Sequence, residues 1–272
     1  MSWSEWVLEN EQSIRLSFFI GVFVVIAIWE IVLPRRLPSI SKAKRWFNNI
    51  SLVVLNTVVI RLLFPTAAVG VSIGVQQKNW GLFNQFELPL ALEVVLCVIV
   101  LDLVIYLQHV MMHFVPLFWR LHRVHHADPD YDLTTGTRFH TLEIVFSMLI
   151  KFAAIVLLGP PLIAALIFEV VLTATAMFNH GNVYLPEKID RVLRLLLVTP
   201  DMHRVHHSIQ PAFTHSNFGF SLPWWDRLFG TYRPQPPDSH TEMEIGLPDY
   251  CHPEQVSRLD QMLMIPFKSP RS

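Results

Sequence analysis

LQHVMMHFVPLFWRLHRVHHADPD, residues 107–130, holds five of the chain's thirteen histidines. His109 and His113 stand at i and i+4, and His122, His125 and His126 at i, i+3 and i+4. These separations put side chains on one helix face with Cβ atoms about 5–6 Å apart. Imidazoles so placed can converge on one ion, and a neutral imidazole suits zinc, copper, iron or nickel rather than magnesium or calcium. The HxxHH spacing returns about eighty positions later, at His203, His206 and His207 in DMHRVHHS. A single histidine is ordinarily a satisfied core or surface residue, but one HxxxH with two HxxHH in the same chain is a metal-binding pattern.

The histidines follow directly on an apolar segment, which makes this a metal site at a membrane surface. Of 272 residues, 52% are hydrophobic and 16% charged, with mean hydropathy +0.39. Soluble domains carry about 25% charged residues, so the balance is that of a membrane protein. A formal net charge of −1 and the lack of a basic stripe with interleaved aromatics exclude nucleic acid as a partner. Cys97, inside an apolar segment, and Cys251 make neither a disulfide framework nor a CxxC site.

From about Ile14 to Leu33 the sequence is apolar apart from Arg15, Ser17 and Glu30, enough to cross a bilayer core of about 30 Å. The run is too long for a signal-peptide core and no A-x-A site follows it, so it reads as a retained anchor. Trp3 and Trp6 ahead of it suit the headgroup level. PRRLPSISKAKR, residues 34–45, then brings Arg35, Arg36, Lys42, Lys44 and Arg45. Short loops rich in Lys and Arg stay cytoplasmic, which puts the N-terminus on the opposite side. A second span is expected at about Ile50 to Val75, with Arg61 facing protein or snorkelling. A third is expected from about Pro89 to His113, with Asp102, Tyr106, His109 and His113 on one stripe.

Residues 114–142 are too polar to span. Residues 144–179 are apolar but split by Gly159, Pro160 and Pro161, which predicts a helical hairpin with both ends on the cytoplasmic side; a single kinked helix is the other reading. Lys151 in its first half would snorkel or line a cavity. EKIDRVLRLLL, residues 187–197, has the spacing of an amphipathic helix on the interface. His240 and His252, beyond Tyr232 in the Pro-rich tail, read as solvated surface residues.

HVMMH, the two HRVHH triplets, the connecting FNHGN and the closing NFGFSLPWWDRLFGTY resemble the fatty acid hydroxylase superfamily, often called the sterol desaturase family, over about residues 90–233. The triple histidine motif in this order is specific for the superfamily and not for the substrate. The resemblance implies a membrane-embedded enzyme with two histidine-held iron ions and O2 as co-substrate. No flavin, nicotinamide or haem-binding segment stands in the sequence, so a separate electron donor of cytochrome b5 or ferredoxin type is implied. The resemblance favours the hairpin, which returns His180 to the surface of the other histidines.

The expected fold is all-α: an integral membrane bundle of about three transmembrane helices plus a helical hairpin, with a cytoplasmic histidine-rich cap. Residues 1–88 would be the membrane anchor, 89–233 the catalytic domain and 234–272 the tail. Nine histidines are expected to meet as metal ligands: His109, His113, His122, His125, His126, His180, His203, His206 and His207. Glu143, Asp102 and His140 are candidates beside them, together with Asp201, for fixing imidazole tautomers, and His140 could itself touch metal. His215 reads as peripheral.

Nine imidazoles exceed the four ligands usual for zinc, so two metals is the economical count. The expected activity is O2-dependent hydroxylation or desaturation of a membrane lipid of fatty acyl, sterol or alkylglycerol type, entering sideways from the bilayer. A di-zinc membrane hydrolase would use the same ligands without O2 or reductant. A bis-histidine haem cytochrome would need histidines facing each other across spans, and a structural metal site would need fewer ligands.

Overall fold

Long apolar runs punctuated by proline, glycine and cationic loops fold as helices, and the described residues contain no β-strand, only two isolated bridges. The computed structural model describes residues 3–64, 67–236, 238–250 and 256–268. Five stretches are long and apolar enough to cross a membrane: Glu9–Val32, Lys42–Gln77, Leu90–Phe114, Thr141–Leu158 and Leu162–Asn179. They correspond to the three expected spans and the two arms of the hairpin.

The first helix, α1 (Trp3–Val32), begins well ahead of Ile14. Its polar early turns are held by ion pairs: Arg15 bonds Glu11 one turn back at 2.9 Å and reaches Glu169 at 3.0 Å. Lys151 bonds the same carboxylate at 2.9 Å, so it is paired inside the bundle and does not snorkel. The expected second span is two helices, α2 (Lys42–Leu63) and α3 (Ala68–Gln77). The Ser41 hydroxyl accepts from the Lys44 N–H as an N-cap and starts α2 early. Phe64 is extended (φ −127°, ψ 86°) ahead of Pro65, as residues preceding proline tend to be, and α2 stops there. Arg61 is exposed on its last turn, where a long side chain can reach the interface.

Helix α4 (Leu90–Phe114) runs straight into α5 (Pro116–His126), with Val115 extended between them and Pro116 at the first helical position. The hairpin is α6 (Thr141–Leu158) and α7 (Leu162–Asn179). Gly159 turns it at φ +66°, where a Cβ would run into the Trp80 carbonyl and the Asn84 amide. Short helices complete the cap: α8 (Glu187–Leu193), α9 (Pro200–His206), α10 (Pro211–Thr214), α11 (Trp224–Leu228) and α12 (Leu259–Met264). Only the start of the amphipathic segment is α-helical, and Ile189, Val192, Leu195 and Leu196 on it are exposed.

Buried charges lock the cap to the spans. Glu30, on the last turn of α1, accepts from the backbone N–H groups of Leu133 (2.7 Å) and Asn182 (2.8 Å) and from Lys42 (2.8 Å). Arg45 of α2 is fully buried: its Nε and Nη2 fork the two Asp128 oxygens at 2.9 and 2.7 Å, and Nη1 reaches Asp132 at 2.6 Å. At the C-terminal end, Val256, Met262 and Ile265 join a core with Leu52 of α2 and Val124 of α5. Arg123 of α5 donates to the carbonyls of Ile265 and Lys268 there. His240 is buried, not solvated, with Nε2 3.8 Å from the Asp201 carboxylate. His252 and Cys251 lie outside the described residues.

Removing one partner of a buried ion network leaves uncompensated charge. The variant Arg45→Ala should lose about 3–5 kcal/mol of stability, read as a lowered thermal transition in detergent, because Asp128 and Asp132 remain buried. Arg191→Ala, which breaks a surface pair with Glu187 three-quarters exposed on both sides, should change stability by about 0.5 kcal/mol or less.

Candidate metal centre

The nine histidines converge, and they do so as two groups. His109, His113, His122, His126 and His206 form one; His125, His180, His203 and His207 form the other. Within each group one nitrogen per residue lies within 4.8 Å of all the others. Every ring is buried. Helix geometry explains the division: with 3.6 residues per turn, i and i+4 point about 40° apart, whereas i+3 is turned about 60° the other way. His109 with His113, His122 with His126 and His203 with His207 are i,i+4 pairs, and each pair stays in one group. His125 and His206, the i+3 members, cross to the other group. Each HxxHH helix therefore contributes to both, and His180, at the end of α7, completes the group of four.

Oxygen atoms outside the groups orient the rings. Nδ1 of His109 lies 2.8 Å from the Phe218 carbonyl, that of His206 2.7 Å from the Ser216 carbonyl, and that of His180 2.8 Å from the Ala176 carbonyl. Nδ1 of His122 lies 2.6 Å from Glu143 Oε1. A carbonyl or carboxylate can only accept, so Nδ1 carries the proton and the Nε2 lone pair turns inward. His113 Nδ1 stands 3.4 Å from His215 Nδ1, placing His215 against a member of the first group although it belongs to neither.

Inside the groups the lone pairs have no protein partner. Nε2 of His109, His113, His122 and His206, Nδ1 of His125 and His203, and both nitrogens of His126 and His207 are buried without a hydrogen bond. Leaving such atoms unsatisfied costs about 1–3 kcal/mol each, so a metal ion in each group is what these residues fit. Nε2 of His180 lies 3.1 Å from Nε2 of both His125 and His203, the spacing of about 3 Å that neighbouring ligands adopt with metal–nitrogen bonds of about 2.0–2.1 Å. Burial, and then the neighbouring imidazoles, push His125, His126, His203, His206 and His207 well below the usual histidine range. Burial takes His180 down to about 3. The rings are neutral, as ligation requires.

Of the candidates for fixing the imidazoles, Glu143 does so. Asp102 does not meet His109; it accepts from the N–H groups of Ser221 and Leu222 at 3.2 Å and from Trp225 Nε1 at 2.9 Å. His140 belongs to neither group: its Nδ1 accepts from the Leu142 N–H as N-cap of α6, and Nε2 lies 3.3 Å from the Leu263 carbonyl. Asp201 touches no ring of either group and pairs with Arg204 and Arg35. Burial alone would raise its pKa, but those guanidiniums and His240 hold it below the usual carboxylate range.

Sequence reasoning missed the frame behind His109 and His206. Asp226 accepts from the Phe218 and Gly219 N–H groups at 2.8 Å each, and the Asn217 amide, at φ +50°, donates to the carbonyls of Met202 and Arg233. Burial pushes Asp226 up to about 6. The Ser216 and Phe218 carbonyls of this segment thus meet the rings. Gly136 was also silent: a Cβ there would strike the Ala176 carbonyl and come within 2.9 Å of His180 Nδ1.

Among known proteins, the family model described as Fatty acid hydroxylase matches residues 94–231. The chain is 27% identical over 235 residues to the ornithine lipid hydroxylase OlsE of Rhizobium tropici, a match covering 84% of this chain and 69% of that protein. It is 29% identical over 194 residues to the alkylglycerol monooxygenase of Xenopus tropicalis, covering 69% and 41%. To methylsterol monooxygenase 2-2 of Arabidopsis thaliana it is 28% identical over 162 residues, covering 57% and 59%. The chain therefore spans less than half the length of the alkylglycerol monooxygenase. No solved structure gives a significant match.

Two measurements check the geometry. Glu143→Ala removes the acceptor that holds His122, and metal affinity at the five-histidine group should fall about 10–100-fold by equilibrium dialysis. For the metal-free protein, the folded-state pKa values of His125, His126, His180, His203, His206 and His207 lie below the unfolded value near 6.5. Their stabilisation is present above that pH and is lost as pH falls toward about 3, where His180 takes its proton. The thermal transition should therefore drop steadily from pH 6.5 to 4, by about 1.4 kcal/mol per pH unit for each ring that must stay neutral. A flat profile would mean that the rings are not buried in neutral form.

Proposed function

This chain belongs to the fatty acid hydroxylase family, and from that premise we propose that it is an O2-dependent di-iron oxidoreductase that hydroxylates or desaturates a membrane lipid. The observation that carries this reading is the pair of buried histidine groups, five and four rings, eight of which have a buried nitrogen without a hydrogen-bond partner. His109, His113, His122, His126 and His206 would hold one iron, and His125, His180, His203 and His207 the other. Bound there, two irons supply the electrons to activate O2 for attack on an unactivated C–H bond. The names of the ornithine lipid hydroxylase, the alkylglycerol monooxygenase and the methylsterol monooxygenase support a lipid as substrate.

The protein's own part is binding, orientation and exclusion of water. Glu143 and the carbonyls of Ser216, Phe218 and Ala176 hold protons on the outward Nδ1 atoms, which keeps the inward nitrogens free for metal. Phe139 stacks on His125 with centroids 4.5 Å apart, and Phe218 and Phe220 lie 5.6 and 6.3 Å from His109, so apolar rings surround the groups and keep them dry. Electrons would come from a separate donor of cytochrome b5 or ferredoxin type. The cap lies on the same side as the cationic 34–45 loop, because Glu30 and Arg45 bind into it, and the positive-inside rule assigns that side to the cytoplasm.

Metal analysis of protein purified in detergent from iron-supplemented cells is the test. About two irons per chain are expected, with His206→Ala and His207→Ala each emptying one group and the double variant losing both. O2 uptake should then depend on lipid and reductant together. Zinc alone despite abundant iron, with activity that persists without O2, would replace this reading with a di-zinc hydrolase.

A further inference from the structure

A cavity of about 200 Å³ opens between the last turn of α1, the 34–41 loop, the start of α2 and the turn at 129–132. Two candidate spans end and begin at its mouth, which sets it at headgroup level if they cross the bilayer. Ile31 and Leu37 stand on its rim, 69% and 87% exposed, where they would face acyl chains.

Its walls carry both signs of charge, and most of the unused hydrogen-bonding capacity lies on two cations. Glu30 accepts from two backbone N–H groups and Lys42, as described. Asp130 accepts from the backbone N–H groups of Ser39 and Ile40, at 3.0 and 3.1 Å, and from the Ser39 hydroxyl. Asp132 accepts from Arg45, Trp46 Nε1 and the Thr134 N–H. Among the cations Arg45 is spent on Asp128, Asp132 and Thr135, but Lys42 and Arg36 are used far less. Lys42 Nζ, with three donors, makes one hydrogen bond, to Glu30, and rests 4.9 Å from the Trp46 ring. The Arg36 guanidinium, with five N–H donors, gives one hydrogen bond, from Nη1 to the Met243 carbonyl at 2.7 Å. What the cavity offers is therefore unused donors on positive charge beside an apolar rim.

The inner wall leads to the metal centre. Tyr131 lines the cavity, and its ring packs on His180 and His207 with centroids 5.6 and 5.1 Å away. Its hydroxyl donates to the Asn179 carbonyl at 2.5 Å, and the Arg204 guanidinium lies 5.0 Å from its ring. One side chain separates the cavity from the four-histidine group.

We propose that this cavity binds the anionic group, phosphate or carboxylate, of a membrane lipid, with Arg36 and Lys42 as donors and Ile31 and Leu37 against the lipid chain. A lipid held there has its polar end separated from the four-histidine group by the Tyr131 side chain.

The test is equilibrium binding to the full chain in detergent, with dihexanoyl phosphatidic acid, uncharged dihexanoylglycerol and inorganic phosphate as probes. The phosphatidic acid should bind at least about ten-fold tighter than either of the others. The double variant Arg36→Gln, Lys42→Gln should cost at least about ten-fold in its affinity, and Leu37→Ser, at an exposed position, should weaken the lipid but not inorganic phosphate. Equal affinity for the charged and uncharged lipids, or affinity unchanged in both variants, would overturn the proposal. Inorganic phosphate bound as tightly as the lipid would make this a free-anion site and overturn its lipid part. Should the double variant fail to fold, the three-probe comparison and Leu37→Ser still decide. Iron content of the same samples separates the two readings: metal intact with no lipid binding sinks the cavity alone, and lipid bound without metal sinks the di-iron assignment alone.

Discussion

Imidazole lone pairs buried without partners are unstable company, and eight of the nine rings gathered here have a buried nitrogen with no hydrogen-bond partner. Such an arrangement is favoured by holding rings from outside and quenching them from inside. Holding from outside is visible: three backbone carbonyls and one carboxylate take the Nδ1 protons of four rings. A cation that prefers nitrogen could quench them from inside, where protons are disfavoured by burial and by the neighbouring rings. Both the neutrality of the rings and their unpaired nitrogens follow from that one constraint.

The same constraint explains why so much of the cap is polar and buried. Orienting carbonyls can aim at a ring only if their own segment is fixed, and the 216–222 segment is fixed by two carboxylates. Asp226 gathers the N–H groups of Phe218 and Gly219, and Asp102, from within α4, gathers those of Ser221 and Leu222. A Cβ on Gly219 would approach Asp226 Oδ2 to 2.6 Å, so glycine is needed for the backbone to come that close. Asp102 therefore acts on His109 at one remove, through the loop whose carbonyl holds the ring.

How much of this the sequence displays depends on the reach of the interaction. The clustering of the nine histidines is legible because helical spacing is local, although the i, i+3, i+4 triplets read as single faces divide between two groups. The hairpin is legible from Gly159-Pro160-Pro161 for the same reason, whereas the second span, read as one stretch, is two helices. Asp102 and His140 are misplaced because their partners, Trp225 and Leu263, lie more than a hundred residues away and leave no periodic trace. His240 is buried by a carboxylate from α9 that nothing near residue 240 announces. Arg45 looks like one more cation of a topogenic loop, yet it is among the most buried side chains in the chain, because Asp128 and Asp132 arrive from eighty residues downstream.

That loop shows one set of charges acting at two stages. As sequence, residues 34–45 present five cations to the positive-inside rule. Once the cap forms, Arg45 and Arg35 are withdrawn into pairs with those carboxylates, and Lys42 is drawn toward Glu30. The pairing ties the loop to the cap that carries the histidines. Arg36 and Lys42 keep unused donors after this withdrawal, and those donors are what the adjoining cavity presents to a lipid.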